Sequence, residues 1–511
     1  MSVARLIQQL GRRWGDAPAL IEDQSARTVS FAQLADASFG FARTLAARGL
    51  RPGDRFALIG DNEIEYLIAD YGGMCGGFVR APLDPSLSMD ELRAQVIDAE
   101  ATILVATAEH RTAAENVAAG LAIRVLPIER LDPSHFSSQC ELLPDGGDVA
   151  AGALASLNYT GGSSGAPKAV MLSHANLRAI LQNVAMVRGM GPGDTMVNMR
   201  PLWPIAAVIV LAHLSAGGTV VLGGRFEPQR LVSLLAKYRA AATTLVPTHL
   251  VRIVRDCPAE QLRSLTALRS INIGAAAVPL DVFEQALAAF GPKIGILYGL
   301  TEASWSCYQP PAMLDVAAEQ RPARMGSVGR PVFGCDIKIA DGDTEVSSGE
   351  VGEILIRGAN VMQGYWKRPD LTAEVLRVGW FHTGDLGRID VDGVLSVVGR
   401  LKNVIRSGGK SVDPAEVEKV LARAPGVAEV AVLGLPDTEW GEIVVAAVVP
   451  VAGVMLDTRT LSSHCAAELS ANKRPKQIVF VTELPRSHYG KVQLGRLKAD
   501  LIELLGRTAN G

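Results

Sequence analysis

Strand-length apolar runs alternate with helical patterns along most of this chain. "RFALIG" (55–60), "ATILVAT" (101–107), "GTVVLGG" (218–224) and "AATTLVP" (241–247) read as short buried strands. "FEPQRLVSLLAKY" (226–238) and "LDVFEQALAAF" (280–290) place apolar residues at helical spacing between such runs. Strands that alternate with helices build mostly parallel sheets with helices packed on their faces. The expected class is therefore α/β.

Two changes of texture subdivide it. From about residue 325, "CDIKIADG", "VGEILIRG" and "GVLSVVGR" are short strands interrupted by Gly and Asp, which predicts an antiparallel β unit. After "GRLKN" the helix–strand texture returns in "PAEVEKVLARAPG", "VAEVAVLGLP", "EIVVAAVVPV" and "DTRTLSSHCAAELS". The expected division is a large N-terminal domain, 1–400, that contains the β unit, and a small, slightly basic α+β domain, 401–511. A chain of 511 residues is too long for one ordinary core, and its 48% apolar content suffices for several.

Composition removes some functions. A net charge of −3 does not advertise a nucleic-acid partner. The most apolar long run, "PIAAVIVLAHLSAGG", is shorter than the roughly 20 residues of a membrane span and ends in glycines. The N-terminus lacks a signal-peptide apolar stretch. Cys75, Cys140, Cys257, Cys307, Cys335 and Cys465 are scattered without a CxxC, which fits buried thiols in a reducing compartment. The expectation is a cytoplasmic protein without a membrane span.

The chemistry concentrates in four stretches. The first is "LNYTGGSSGAPKAV" (157–170). Its Gly161-Gly162-Ser163-Ser164-Gly165 matches the G-x-S-x-G nucleophile elbow, which requires a helix directly afterwards. Here a second strand pattern follows, so the glycines cap a hairpin. No G-x-x-x-x-G-K-[ST] exists either; Val404 spoils the match before Gly409-Lys410-Ser411. Glycine N–H groups, the hydroxyls of Thr160, Ser163 and Ser164, and the Lys168 charge suit a polyphosphate, and an ordinary solvated turn is the alternative. The second stretch, "IGILYGLTEAS" (294–304), delivers Tyr298, Gly299, Thr301 and Glu302 at the carboxyl end of a strand, where open α/β sheets bind ligands. The third, "WFHTGDLGRIDVDGVLSVVGRLKNVIRSGGKSVDPAEVE", offers Asp385, Arg400 and the Gly408-Gly409 turn. The fourth, "LPRSHYGKVQLGRLK", carries Lys491.

Taken singly, each residue has a plainer reading: Lys491 a solvated lysine, Asp385 a turn residue, Tyr298 core, His174 a helix start. His249, at a strand end on the ligand side, is ambiguous. Together, in order and spacing, the four stretches resemble the adenylate-forming superfamily of acyl- and aryl-CoA synthetases, adenylation domains and luciferases, over about residues 15–500. The resemblance implies attack of a carboxylate on the α-phosphorus of ATP, giving acyl-AMP, then displacement of AMP by a thiol, usually CoA. It implies that Thr160 to Lys168 covers the β- and γ-phosphates and that Gly274, Ala275 and Ala276 lie beneath adenine and the acyl group. Tyr298 would stack on adenine, with Gly299 beside it. Thr301 would contact the α-phosphate and Glu302 would hold Mg²⁺. Asp385 and Arg400 would bind the ribose. Lys491 would bridge the two reacting anions, Lys402 would be a hinge that makes the small C-terminal domain mobile, and Gly408-Gly409 would face pantetheine. Lys168, Thr301, Glu302 and Lys491 are the expected catalytic set; cations and donors aimed at developing charge fit this chemistry.

The sequence departs from the family pattern at Gly161 (usually serine), Ala169 (usually glycine), Asn403 (usually acidic) and Pro204 (usually histidine). Proline removes a donor and fixes the backbone. The acid pocket is expected from Trp203, Ile205, Ala206, Ala207, Thr248, Ile273, Ala275, Gly299 and Ser304. None is charged, and a buried substrate ammonium would need a carboxylate, so an apolar or aromatic acid is favoured. Expected partners are that acid, ATP and CoA. A carrier protein or another non-CoA acceptor, and a homodimer, stay open.

Overall fold

The computed structural model describes residues 2–129, 149–160, 168–278, 280–314, 316, 324–408, 410–486 and 492–506. The chain divides into two compact units, Met1–Ile337 with Ile356–Phe381, and Lys338–Leu355 with His382–Gly511.

The first unit contains two large sheets. One runs in the order Arg330–Pro331, Ala303–Gln309, Ile294–Leu300, Ser270–Ile273, Ala242–Leu245, Thr195–Asn198, Thr219–Leu222, Pro18–Glu22, Arg27–Ser30. Its interior pairs are parallel and its edges antiparallel. The other runs Gly364–Tyr365, Lys168–Ser173, Leu154–Thr160, Val79–Pro82, Arg55–Ile59, Ile103–Thr107, Arg124–Ile128, again with a parallel interior. All four strand patterns quoted above form strands, and both helical patterns form helices, Pro228–Lys237 and Leu280–Phe290. Leu231, Leu235, Phe283 and Ala286 of those helices pack on Val197, Val221, Ile271 and Ile294, so their apolar faces close the first sheet. The apolar run after Pro204 becomes the helix Ala206–Ser215, buried through Leu214. Among the described residues no helix is long and apolar enough to cross a membrane.

The expected short strands after residue 325 appear as Cys335–Asp341, Gly352–Gly358 and Leu395–Arg400. In the second unit, Val427–Asp437 and Gly441–Pro450 form a long antiparallel pair. Alternation sorts their side chains: Val432, Val444, Ala446 and Val448 meet Val417, Leu421 and Leu461, while Ala431, Val445 and Ala447 meet Leu497 and Leu501. Helices therefore cover both faces. Five cysteines, Cys75, Cys257, Cys307, Cys335 and Cys465, are free and buried as expected; Cys140 lies outside the described residues.

Candidate active site

The glycine loop springs from a hairpin. Leu154–Thr160 and Lys168–Ser173 pair antiparallel with Thr160 opposite Lys168, and the Thr160 hydroxyl donates to the Lys168 carbonyl at 3.4 Å. A strand rather than a helix follows the glycines, which removes the nucleophile-elbow reading. Gly161, Gly162, Ser163, Ser164 and Gly165 lie outside the described residues.

Thr301 and Glu302 form the turn between the antiparallel strands Ile294–Leu300 and Ala303–Gln309. Gly299 is required there: a Cβ would stand 2.6 Å from the Trp305 amide nitrogen. Tyr298 is only 8% exposed. Gly274, Ala275 and Ala276 follow the carboxyl end of Ser270–Ile273. Ala275 holds φ at 77°, the left-handed region that alanine avoids, and such strain gathers at ligand sites. A Cβ on Gly274 would meet Leu297 at 2.5 Å.

Tyr365, which sequence reasoning missed, ties these two regions together. Gly364–Tyr365 adds to the edge of Lys168–Ser173, with Tyr365 opposite Val170. Its hydroxyl donates to Glu302 Oε1 at 2.8 Å, and Lys168 Nζ lies 5.5 Å from its ring centroid. Burial, and then the Glu302 charge beside it, hold the phenol well above its ordinary range.

Trp203, Ala206, Ala207, Ile273 and Ser304 of the expected acid pocket are buried; Ile205 and Thr248 are partly covered. Two residues absent from the sequence-based set hold this loop. Arg80 Nη1 donates both to Asp70 Oδ1 at 2.7 Å and to the Pro204 carbonyl at 3.2 Å, with Arg80 and Asp70 fully buried. Tyr71 donates to the Ala207 carbonyl at 2.8 Å. Burial pushes the Asp70 carboxyl up, against the pull of Arg80. The available signal was one charge inside the strand run "FVRAPL", because a buried charge demands a partner. His249 stacks on Phe226 at 3.7 Å and 6°. Burial first, then Arg200 and Arg252, push it down to about 3, so it is neutral near pH 7. His174 is a buried residue at the start of the helix His174–Arg188, which agrees with the packing reading.

In the second unit, Asp385 and Arg400 are cross-strand partners, with Arg400 Nε 2.8 Å from Asp385 Oδ1. Glu353 fixes the strand Trp380–Ile389 just before Asp385: its Oε1 accepts from the Gly384 amide and its Oε2 pairs with His382 Nδ1, both at 2.9 Å. Thr383 Oγ1 accepts from the Asp385 amide at 3.0 Å. Neither Glu353 nor Thr383 carried a sequence signal. Lys402 sits in the 3₁₀ turn Leu401–Asn403. Gly408, at φ 57°, lies flat on Trp440, whose ring a Cβ would approach to 2.6 Å. Gly409 and Lys491 lie outside the described residues.

The donor set fits Mg²⁺ shared with a nucleotide. Among the described residues no cluster of three or more His, Cys, Asp or Glu side chains forms a cage. Mg²⁺ characteristically takes one or two carboxylates plus substrate phosphates, and Glu302 offers one carboxylate with one oxygen committed to Tyr365.

Two parallel-cored sheets bearing a glycine-loop hairpin, followed by a separate α+β unit, define the adenylate-forming fold. The chain belongs to the AMP-binding enzyme family, which it matches over residues 7–366, with the AMP-binding enzyme C-terminal domain over residues 416–491. It is 37% identical over 473 residues to a feruloyl-CoA synthase of Amycolatopsis, covering 92% of this chain and 93% of that one. Among solved structures it resembles ATP-bound MatB from Rhodopseudomonas palustris, with a TM-score of 0.88, 29% identity, and 99% and 100% of the two chains covered. It also resembles the amide bond synthetase McbA from Marinactinospora thermotolerans, with a TM-score of 0.85, 26% identity, and 97% and 99% covered. The protein is an AMP-forming acid–thiol ligase that uses ATP, Mg²⁺ and CoA.

Proposed function

We propose that this ligase activates an aromatic or otherwise apolar carboxylic acid and passes the acyl group to CoA. The carrying observation is the acid loop. Its candidate side chains are uncharged, and the buried Arg80 behind it donates to Asp70 and Pro204 through the same nitrogen. A substrate ammonium would find no counter-charge among those candidates. The similarity to a feruloyl-CoA synthase supports an aromatic acid.

In this reading the substrate carboxylate attacks the α-phosphorus and the bond to pyrophosphate breaks. Lys491 stands between the two anions and Thr301 contacts the α-phosphate. Lys168 and the loop from Thr160 neutralise the β- and γ-phosphates, while Asp385 and Arg400 hold the ribose and Tyr298 the adenine. Mg²⁺, when bound at Glu302, screens charge on the phosphate oxygens. The CoA thiolate then attacks the acyl carbon and AMP leaves. We place a hinge at Lys402, with the C-terminal domain from residue 401 alternating between the two steps and Gly408-Gly409 facing pantetheine. Buried free cysteines fit a cytoplasmic setting.

A second reading is transfer to a carrier protein or another non-CoA nucleophile, and the likeness to an amide bond synthetase favours an amine as that nucleophile. Pyrophosphate release against a panel of aromatic, aliphatic and amino acids, with and without CoA and with products identified by mass spectrometry, tests both. Turnover of amino acids alone would overturn the acid class. Acyl-AMP formation without any acyl-CoA would favour the second reading.

A further inference from the structure

The proposed metal carboxylate sits on a turn of one sheet and the proposed phosphate lysine on a strand of the other, and one aromatic ring touches both. Tyr365 donates its hydroxyl to Glu302 Oε1 at 2.8 Å and presents its ring to Lys168 Nζ at 5.5 Å from the centroid. Among the described residues, Lys168 and Glu302 form no ion pair with each other. Left together, a lysine and a carboxylate neutralise one another; a ring between them gives the cation a π-face and the anion a hydroxyl.

The backbone around Tyr365 is fixed from three sides. Trp366 N donates to the Ala169 carbonyl at 2.9 Å, beside Lys168. Met362 N donates to the Glu302 carbonyl at 2.8 Å. Tyr365 N itself donates to Thr372 Oγ1 at 2.9 Å, and that hydroxyl donates to the Arg368 carbonyl at 2.8 Å. The segment 362–366 thus laces the foot of the glycine loop to the Glu302 turn, and the ring has little freedom to swing away.

We infer that Tyr365 is a positioning residue for the metal–phosphate end of the site: it orients the Glu302 carboxylate toward Mg²⁺ and keeps Lys168 apart from that carboxylate, available to phosphate. This rests on Glu302 and Lys168 having the roles proposed above. The donated hydrogen bond takes one lone pair of Oε1 and fixes the carboxylate plane. Partners of this kind around metal ligands alter metal affinity by about tenfold or more when removed.

The test uses the full-length protein, with Mn²⁺ as probe in the presence of ATP and no acid, read by the EPR signal of free Mn²⁺. A Mg²⁺ titration of pyrophosphate release runs beside it. Tyr365→Phe keeps the ring and removes the hydroxyl. It is expected to weaken Mn²⁺ binding, and to raise the Mg²⁺ needed for half-maximal rate, by about tenfold. The rate at saturating Mg²⁺ and the KM for the acid should change less than about twofold, since neither depends on the hydroxyl once the metal is held. In a Glu302→Ala background the same change should do nothing further, because its partner is gone. Wild-type Mn²⁺ affinity in Tyr365→Phe, with a clear loss in Glu302→Ala, overturns the Tyr365 role and leaves the Glu302 role standing. Wild-type affinity in both overturns both. Should Tyr365→Phe fail to fold, Tyr365→Gln, whose amide can still donate, is compared with Tyr365→Leu; equal Mn²⁺ affinities in that pair overturn the proposal.

Discussion

Asp385 and Arg400 face each other across an antiparallel strand pair, and Arg400 Nε lies 2.8 Å from Asp385 Oδ1. Asp385 is 4% exposed, whereas the Arg400 side chain is 44% exposed. The carboxylate is therefore anchored in the protein and the guanidinium reaches solvent, with donors left for a ligand. Glu353 and Thr383 stiffen the stretch of strand that delivers the aspartate.

Removing that guanidinium leaves a covered carboxylate with one charged partner fewer. Arg400→Ala should raise the KM for ATP by about tenfold or more and lower stability by roughly 1–2 kcal/mol. Arg400→Lys should recover stability better than ATP affinity, because a point charge does not reproduce the fork. Steady-state kinetics with thermal melts separate the two. An unchanged KM in Arg400→Ala would count against the ribose role.

The buried Arg80–Asp70 pair predicts a sharp contrast between single and double substitutions. Arg80→Met strands the Asp70 carboxylate and the Pro204 carbonyl, and should destabilise by about 3–5 kcal/mol. Arg80→Met with Asp70→Leu should be much milder, since no uncompensated charge remains. Urea denaturation reads this directly. A single variant as stable as the double would mean that the pair is not electrostatically coupled.

Three covered histidines predict acid sensitivity. Burial pushes His174 and His213 down to about 4, and His249 down to about 3. In the unfolded chain each titrates near the ordinary value of about 6.5. Lowering the pH from 6.5 protonates the unfolded state first, so stability is retained above about 6.5 and falls progressively toward pH 4. The slope contributed by each histidine is at most about 1.4 kcal/mol per pH unit. His249→Phe should flatten the fall of unfolding free energy between pH 6.5 and 4.5. An equally steep profile in that variant would remove His249 from the account.

Lys491→Ala should abolish acyl-AMP formation, because the proposed role brings positive charge to the α-phosphate only in the first step. Thioester formation from preformed acyl-AMP should largely persist. Comparable loss in both half-reactions contradicts the assignment.

Lys402→Pro should suppress thioester formation more than adenylation, because a ring at a proposed hinge restricts φ. Gly409→Leu should leave adenylation near wild type and block access of the thiol. The two half-reactions are measured separately. Wild-type rates of acyl-CoA formation in both variants would remove domain alternation.

Local pattern sufficed for much of this protein. The alternation of strand and helix runs, the change of texture after residue 325, and the hairpin beneath the glycine loop are properties of short segments, set by side-chain periodicity and glycine placement. The order of the four motifs sufficed for the family. What local pattern could not supply is which distant residues meet. Tyr365 lies 63 positions from Glu302, and Arg80 lies 124 from Pro204. A tyrosine after a glycine, or one arginine in an apolar run, has no periodicity that names its partner. Those partners exist only because strand order brings the edge Gly364–Tyr365 beside Lys168–Ser173, and because a buried charge or hydroxyl must find its hydrogen bonds wherever the assembled sheets offer them.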